Sequence, residues 1–222
     1  MQFWPMVSSL AEGLATSTEI FAFTLIFSLP IGLGIAFGRM SRIGIVRQFF
    51  RIYISIMRGT PLMLQLFFFY FGPFYLFDVK LSRLSFLGVE YRFTSVIIGF
   101  SLNYAAYFAE IYRAGIESIP VGQYEAANVL GFSRRQTFLR IIFPQVVKRI
   151  IPPVTNEVIT LVKDTSLAFA LSVMEMFTIA KMEAAAHTTM TPFIVAGAFY
   201  YIFNFAVAYA MERLEKSMNY YR

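Results

Sequence analysis

Three stretches of this chain run for at least 19 residues without a single charged side chain: 20–38, 59–77 and 188–211. A fourth, 93–109, is charge-free for 17. About 20 apolar residues in a helix cross the roughly 30 Å hydrocarbon layer of a bilayer, where only helices and closed barrels satisfy their own backbone groups. All four stretches are therefore expected to span a membrane. A fifth apolar segment, about 150–173, carries Glu157, Lys163 and Asp164 in its interior. Composition agrees, since charged residues make up only 14% of the 222 positions, against the quarter usual in a soluble domain. The first stretch lacks a basic leading region and a small-residue cleavage pattern close behind it, so it is not read as a cleaved signal peptide.

Lys and Arg set the orientation. The segments 39–58, 110–149 and 212–222 together hold 14 of them, and the alternating segments before 20, at 78–92 and at 174–187 hold 4. Positive loops stay in the cytoplasm, which places the N-terminus outside and the C-terminus inside, with five spans between. The net charge of +6 is then a topology signal and does not call for nucleic acid. The expected spans are about 14–38, 59–77, 93–113, 150–173 and 190–211. Arg39, Arg42, Arg47, Arg51 and Arg58 mark 39–58 as an interfacial helix against anionic headgroups, leading into the second span at Thr60-Pro61.

Absence of certain residues narrows function. There is no cysteine and only one histidine, His187, which excludes thiol chemistry and leaves little from which to build a zinc site. No HExxH, nucleophile elbow or Cys/His set occurs, which argues against an integral membrane enzyme. No G-x-x-x-x-G-K-[ST] loop is present, so energy from ATP has to come from another polypeptide.

The cytoplasmic segment 118–146 is a polar, helix-forming insert. Pro120 and Gly122 are expected to end the preceding helix and Tyr124–Leu130 to form a short one, with Glu125 near its positive end. Gly131 suits a left-handed C-terminal cap, and Ser133 to Gln136 has capping-box spacing for a second helix. Small Ala126 and Ala127 leave room for a partner. By physics alone this is equally an interfacial helix-turn-helix. The spacing adds to it: Glu125-Ala126-Ala127, three residues, Gly131, nine residues, Ile141, two residues, Pro144. This resembles the EAA loop of bacterial ABC importer permeases, departing only at Phe143, where that family usually has Leu. Arg58-Gly59-Thr60-Pro61-Leu62 with Gln65-Leu66, Ser101-Leu102-Asn103 with Ala106-Tyr107 and Ala109-Glu110-Ile111, and Leu161 to Leu167 (LVKDTSL) resemble, in order, the permeases for polar amino acids of the histidine, glutamine and arginine type.

The resemblance implies an all-α integral membrane protein with the five-helix type I ABC importer (MetI-like) permease fold. It implies a transport subunit without cofactors of its own, ATP and Mg residing on the partner. Its expected partners are two ATP-hydrolysing subunits, a second copy or a similar permease, an extracytoplasmic amino-acid-binding protein and the lipid bilayer. The cytoplasmic helix would couple to the ATPase through Glu125, Ala126, Ala127, Gly131 and Arg134. Cystine or opine-like solutes remain open as cargo.

Charge inside a span marks candidate ligand contacts, because an ionisable side chain at mid-bilayer costs about 2.5–3.5 kcal/mol. An amino acid zwitterion presents an ammonium and a carboxylate. By resemblance Asp164 would bind the amino group or a basic side chain, and Thr165 and Ser166 would contact the carboxylate. Lys163 points about 100° away on a helix and is expected to pair with an acid. A local break would help, Thr165 and Ser166 bonding to the freed carbonyls. Glu110 is either a ligand contact or an i,i+3 partner of Arg113. Asn103 and Gln65 are further ligand candidates, with interhelical hydrogen bonding as the alternative. The run Phe67–Phe71 reads as lipid-facing bulk. Residues 174–187 read as a short amphipathic helix outside, with Met174, Met176 and Met182 available for an adaptable surface. Two other readings stay in view. One is an ion-gradient-driven transporter, which usually shows internal repeats. The other is a subunit whose partner permease alone holds the substrate.

Overall fold

The computed structural model describes residues 3–78 and 90–218. Within them the chain is helical, with no strand. In order come α1 (Phe3–Arg39), α2 (Gly44–Gly59), α3 (Leu62–Phe77), α4 (Tyr91–Glu117), α5 (Val121–Val129), α6 (Arg134–Thr137), α7 (Phe143–Asp164), α8 (Met176–His187) and α9 (Thr191–Ser217). A π-helical turn, Phe138–Ile142, joins α6 to α7, and a 3-10 segment, Thr165–Leu171, continues from α7. Lys80, Arg83 and Arg222, which count toward the orientation, lie outside the described residues.

The helix that contains the first expected span begins at Phe3. α1 has 37 residues, a length of about 55 Å at 1.5 Å per residue. Its buried positions, Met6, Leu10, Gly13, Ser17, Ile20, Thr24, Ser28, Gly32 and Ala36, recur every three or four residues and form one stripe. Most are small, so other backbones come close, as small residues permit in apolar helix packing. A Cβ on Gly32 would stand 3.0 Å from the Ala105 carbonyl of α4, and one on Gly13 would stand 2.7 Å from Cα of Met176 at the start of α8.

α2 and α3 are bent by 112° at Thr60-Pro61. Proline restricts the residue before it to extended backbone, and Thr60 has φ −121° and ψ 148°. α2 keeps Ile45, Phe49, Ile52 and Ile56 exposed and buries only Ile54. These exposed apolar side chains of α2 are left uncovered by the rest of the described chain. Among the described residues, α1 and α9 are each long and apolar enough to cross a membrane, and the bent α2–α3 pair has the composition of a broken span or a re-entrant loop.

α4 is the hub. Phe100, Tyr104 and Phe108 pack with Ile20 of α1, Leu66 of α3, and Val158 and Leu161 of α7 in the largest core cluster. α9 is the opposite case, leaving Ile194, Tyr201, Ile202, Phe205 and Tyr209 exposed. α8 differs from the expected surface helix: it fits against α1 and α9, burying Met176, Thr178, Ala180 and Ala184, while Met174 and Met182 stay exposed. Periodicity along one short helix does not reveal that two neighbours cover it. In the Phe67–Phe71 run, Phe68 and Phe71 are exposed and Phe67 and Tyr70 pack on the core.

Candidate functional site: a polar seam between α4 and α7

α7 ends where the sequence needs it to. After Asp164 the backbone tightens into the 3-10 segment. The Thr165 hydroxyl donates to the Val162 carbonyl and the Ser166 hydroxyl to the Lys163 carbonyl, both at 2.8 Å. The break turns Asp164 onto α4, where its Oδ2 accepts a 2.7 Å hydrogen bond from the buried Tyr104 hydroxyl. Lys163 behaves otherwise. It is exposed, and among the described residues it forms no ion pair. The expected acid partner is absent because the neighbouring helix position faces away from the seam.

Two turns before Asp164, on the same side of α7, stands Glu157, half-buried. It lines a cleft of about 420 Å³ with Arg58, Tyr107, Glu110, Arg149 and Pro153. The Arg58 guanidinium lies 5.1 Å from the centre of the Tyr107 ring. Glu110 is held by Arg113, whose Nε donates to it at 3.1 Å, and Arg113 also pairs with Glu117. Glu110 thus has the i,i+3 partner and also lines the cleft. Arg149 donates to the Ser118 carbonyl. The seam therefore runs from Asp164 and Tyr104, past Tyr107 and Glu157, to Arg58 and Glu110. Tyr104, Arg58 and Glu157 were not singled out for it from the sequence. For Glu157 the i,i+7 spacing to Asp164 was the available signal. For Arg58 none existed, because it reaches the cleft only through the α2–α3 bend.

Asn103 and Gln65 do not line this cleft; both make the interhelical hydrogen bonds that were the alternative reading of them. Gln65 Nε2 donates to the carbonyl of Met57 at 3.0 Å and to the Thr60 hydroxyl at 2.8 Å. Asn103 Nδ2 donates to the same Met57 carbonyl and to Gln65 Oε1, both at 3.0 Å. The bend leaves the last carbonyls of α2 without helical partners, and two buried amides supply the missing donors. Gln65→Leu is accordingly expected to destabilise the fold by about 1–2 kcal/mol and to leave ligand affinity unchanged. Thermal unfolding in detergent, run beside a binding titration, checks both halves.

The insert folds as two helices about Gly131. α5 starts three residues earlier than expected, because Pro120 takes its N-cap position instead of closing α4. Gly131 has φ +78°. Its N–H donates to the Asn128 carbonyl and that of Phe132 to the Ala127 carbonyl, both at 3.0 Å, the Schellman pattern. The capping box closes α6: Gln136 N–H donates to Ser133 Oγ at 3.3 Å, and Ser133 N–H to Gln136 Oε1 at 2.9 Å. Pro144, lacking an N–H, comes just after the π-helical turn, where Phe143 N–H reaches back to the Phe138 carbonyl. Glu125, Ala126 and Arg134 are exposed, with Val129 and Leu130 at 88% and 72% exposure. Ala127 is buried, so its small size serves packing within the chain and not a partner's approach.

Residues 28–220 match the family described as "Binding-protein-dependent transport system inner membrane component". The chain belongs to that family. This permease is 37% identical over 214 residues to the octopine transport system permease protein of Rhizobium radiobacter, covering 96% of this chain and 86% of that one. It is 36% identical over 222 residues to the L-cystine transport system permease protein of Bacillus subtilis, covering 99% and 89%. A crystal structure of an amino acid ABC transporter with histidines superposes on the permease with TM-score 0.84 at 27% identity, covering 98% of this chain and 99% of that one. The permease thus has the helical fold that the four motifs imply.

Proposed function

We propose that this permease is the transmembrane subunit of an ATP-driven importer that carries an amino acid, or a small derivative retaining ammonium and carboxylate groups, across the cytoplasmic membrane. The observation that carries the reading is the seam itself, in which Asp164, released by a helix break, meets Tyr104 deep between α4 and α7. A half-buried carboxylate that makes no ion pair among the described residues, with only the adjacent exposed Lys163 to balance it, is suited to a cationic ligand. Asp164 takes the ligand's ammonium, and Ser166 and Arg58 are the groups for its carboxylate, while Thr165, fully buried with its hydroxyl on the Val162 carbonyl, shapes the break beside them. Glu157 and Glu110 continue the acidic lining toward the end of the bundle where the insert lies. Lys163, exposed beside the break, contributes through its backbone carbonyl. The named cargoes of the two relatives, octopine and L-cystine, both carry this pair of charges.

Transport proceeds by alternating access, the pocket turning outward when ATP closes the motor and inward after hydrolysis. The insert faces the cytoplasm, with the N-terminus outside and the C-terminus inside. Glu125, Ala126, Arg134 and the uncovered Val129 and Leu130 form the surface that enters the ATPase, and Gly131 holds the two short helices in register. A second permease covers one apolar face, and a soluble binding protein delivers cargo from outside. Tagging this chain, extracting it in mild detergent and weighing the assembly by native mass spectrometry is expected to give two permeases and two Walker-type ATPases. An assembly without an ATPase, under conditions that preserve other ABC complexes, would overturn the reading in favour of an ion-driven transporter.

A further inference from the structure

One acidic residue lies deeper than any member of the seam. Glu175 is fully buried, one residue before α8. Every polar group around its carboxylate is a donor. Oε1 accepts from the Thr178 N–H at 2.7 Å and the Thr178 hydroxyl at 2.8 Å. Oε2 accepts from the Phe177 N–H at 2.7 Å, the Tyr200 hydroxyl of α9 at 3.2 Å and the Ser17 hydroxyl of α1 at 3.4 Å. Ser17 in turn accepts from the Met176 N–H at 3.3 Å. A carboxylate at the positive end of a helix, satisfied on both oxygens, fits the ionised form. Burying it to fasten three helices is costly, and capping a 12-residue helix does not require it, since a serine would do.

Its place relative to the break supplies a purpose. Glu175 stands ten residues after Thr165, at the far end of the connection that carries Thr165 and Ser166. That connection is the 3-10 segment, then Ser172 in the left-handed region at φ 55°, then a tight turn in which the Glu175 N–H donates to the Val173 carbonyl at 2.9 Å. Arg92 at the start of α4 donates to the Ser172 carbonyl at 3.2 Å. The Tyr200 hydroxyl that donates to Glu175 also lies within electrostatic reach of Thr165. One phenol thus stands near both ends of the connection. Thr165 is fully buried there, its own hydroxyl donating to the Val162 carbonyl.

We propose that Glu175 and Tyr200 are positioning residues for the substrate site, setting the placement of Thr165 and Ser166 beside Asp164 through the 3-10 segment. The inference rests on the transport reading above. Ser17 is the weakest of the donors to Glu175, at 3.4 Å, its one hydroxyl proton lying nearer the Gly13 carbonyl at 3.1 Å.

The test uses the complete assembly in proteoliposomes with its binding protein, and a panel of radiolabelled amino acids that includes L-cystine and L-glutamine. Tyr200→Phe removes one hydroxyl and keeps the ring. Glu175→Gln turns one acceptor toward its donors as an NH2 group. Each is expected to raise the apparent KM of the transported amino acid roughly tenfold, the scale of one hydrogen bond to a charged group. Vmax is expected to stay within about twofold, since the loss falls on uniform binding. Ser17→Ala is expected to lower the thermal midpoint with KM unchanged. Combined with Thr165→Val, Tyr200→Phe should add little further change in KM, because both cut one link. Lowered midpoints with wild-type KM in Tyr200→Phe and Glu175→Gln would show a purely structural cluster and overturn the inference alone. A wild-type assembly that transports nothing in the panel would overturn the transport reading and this inference with it.

Discussion

Asp164→Asn is expected to weaken binding of the transported amino acid by about 30-fold or more, with the protein still folded and assembled. The variant retains an oxygen for the Tyr104 hydroxyl, which now donates to Oδ2 at 2.7 Å, so the contact between α4 and α7 survives. It loses only the charge. Removing one side of a buried charge-assisted contact costs about 2–5 kcal/mol, and about 2 kcal/mol corresponds to a factor of about 30 in Kd. Asp164→Ala goes further by leaving a buried hydroxyl unpaired, and its lower yield would blur the result, which is why the amide is the informative change. Uptake kinetics and equilibrium binding on the purified complex read the effect. An unchanged affinity in Asp164→Asn, with the complex intact, would move the ammonium site to Glu157 or out of the seam.

Gly131→Val is expected to reduce uptake by about tenfold or more while membrane insertion and ligand binding persist. No heavy atom lies within 4 Å of where a Cβ on Gly131 would sit, so crowding is not the cause. The cost arises from φ +78°, a region closed to β-branched residues and open to Gly and, among side-chain-bearing residues, to Asn. Leaving the left-handed region breaks the two bonds from Phe132 and Gly131 back into α5 and re-aims α5 relative to α6. A left-handed L-residue costs roughly 1–2 kcal/mol, enough to shift the insert to another arrangement. Gly131→Asn should therefore keep most activity. ATP hydrolysis stimulated by loaded binding protein, measured beside uptake, separates loss of coupling from loss of binding. Equal behaviour of Val and Asn at this position would rule out the cap as the reason.

Features that depend on spacing along one dimension are legible in the chain alone. Runs without charge mark apolar helices because hydrocarbon admits no unpaired polar group. The capping box at Ser133–Gln136, the left-handed Gly131 and the turn at Thr60-Pro61 were all legible, since each depends on a few consecutive residues. The helix break after Asp164 was legible for the same reason, through two hydroxyls placed to receive freed carbonyls. Tertiary structure decided which polar groups face one another. Gln65 and Asn103 look like ligand contacts in an apolar span, yet both answer carbonyls exposed by a bend of 112°. Arg58 looks like a headgroup anchor, and the same bend brings it to the cleft. Ala127 turns inward while Ala126 remains exposed. Glu175 gives no local sign of its depth, because Ser17 and Tyr200 lie 158 and 25 residues away along the chain. A residue's backbone conformation is set by its neighbours in sequence, whereas the partner of a buried charge is set by whichever helix packs over it.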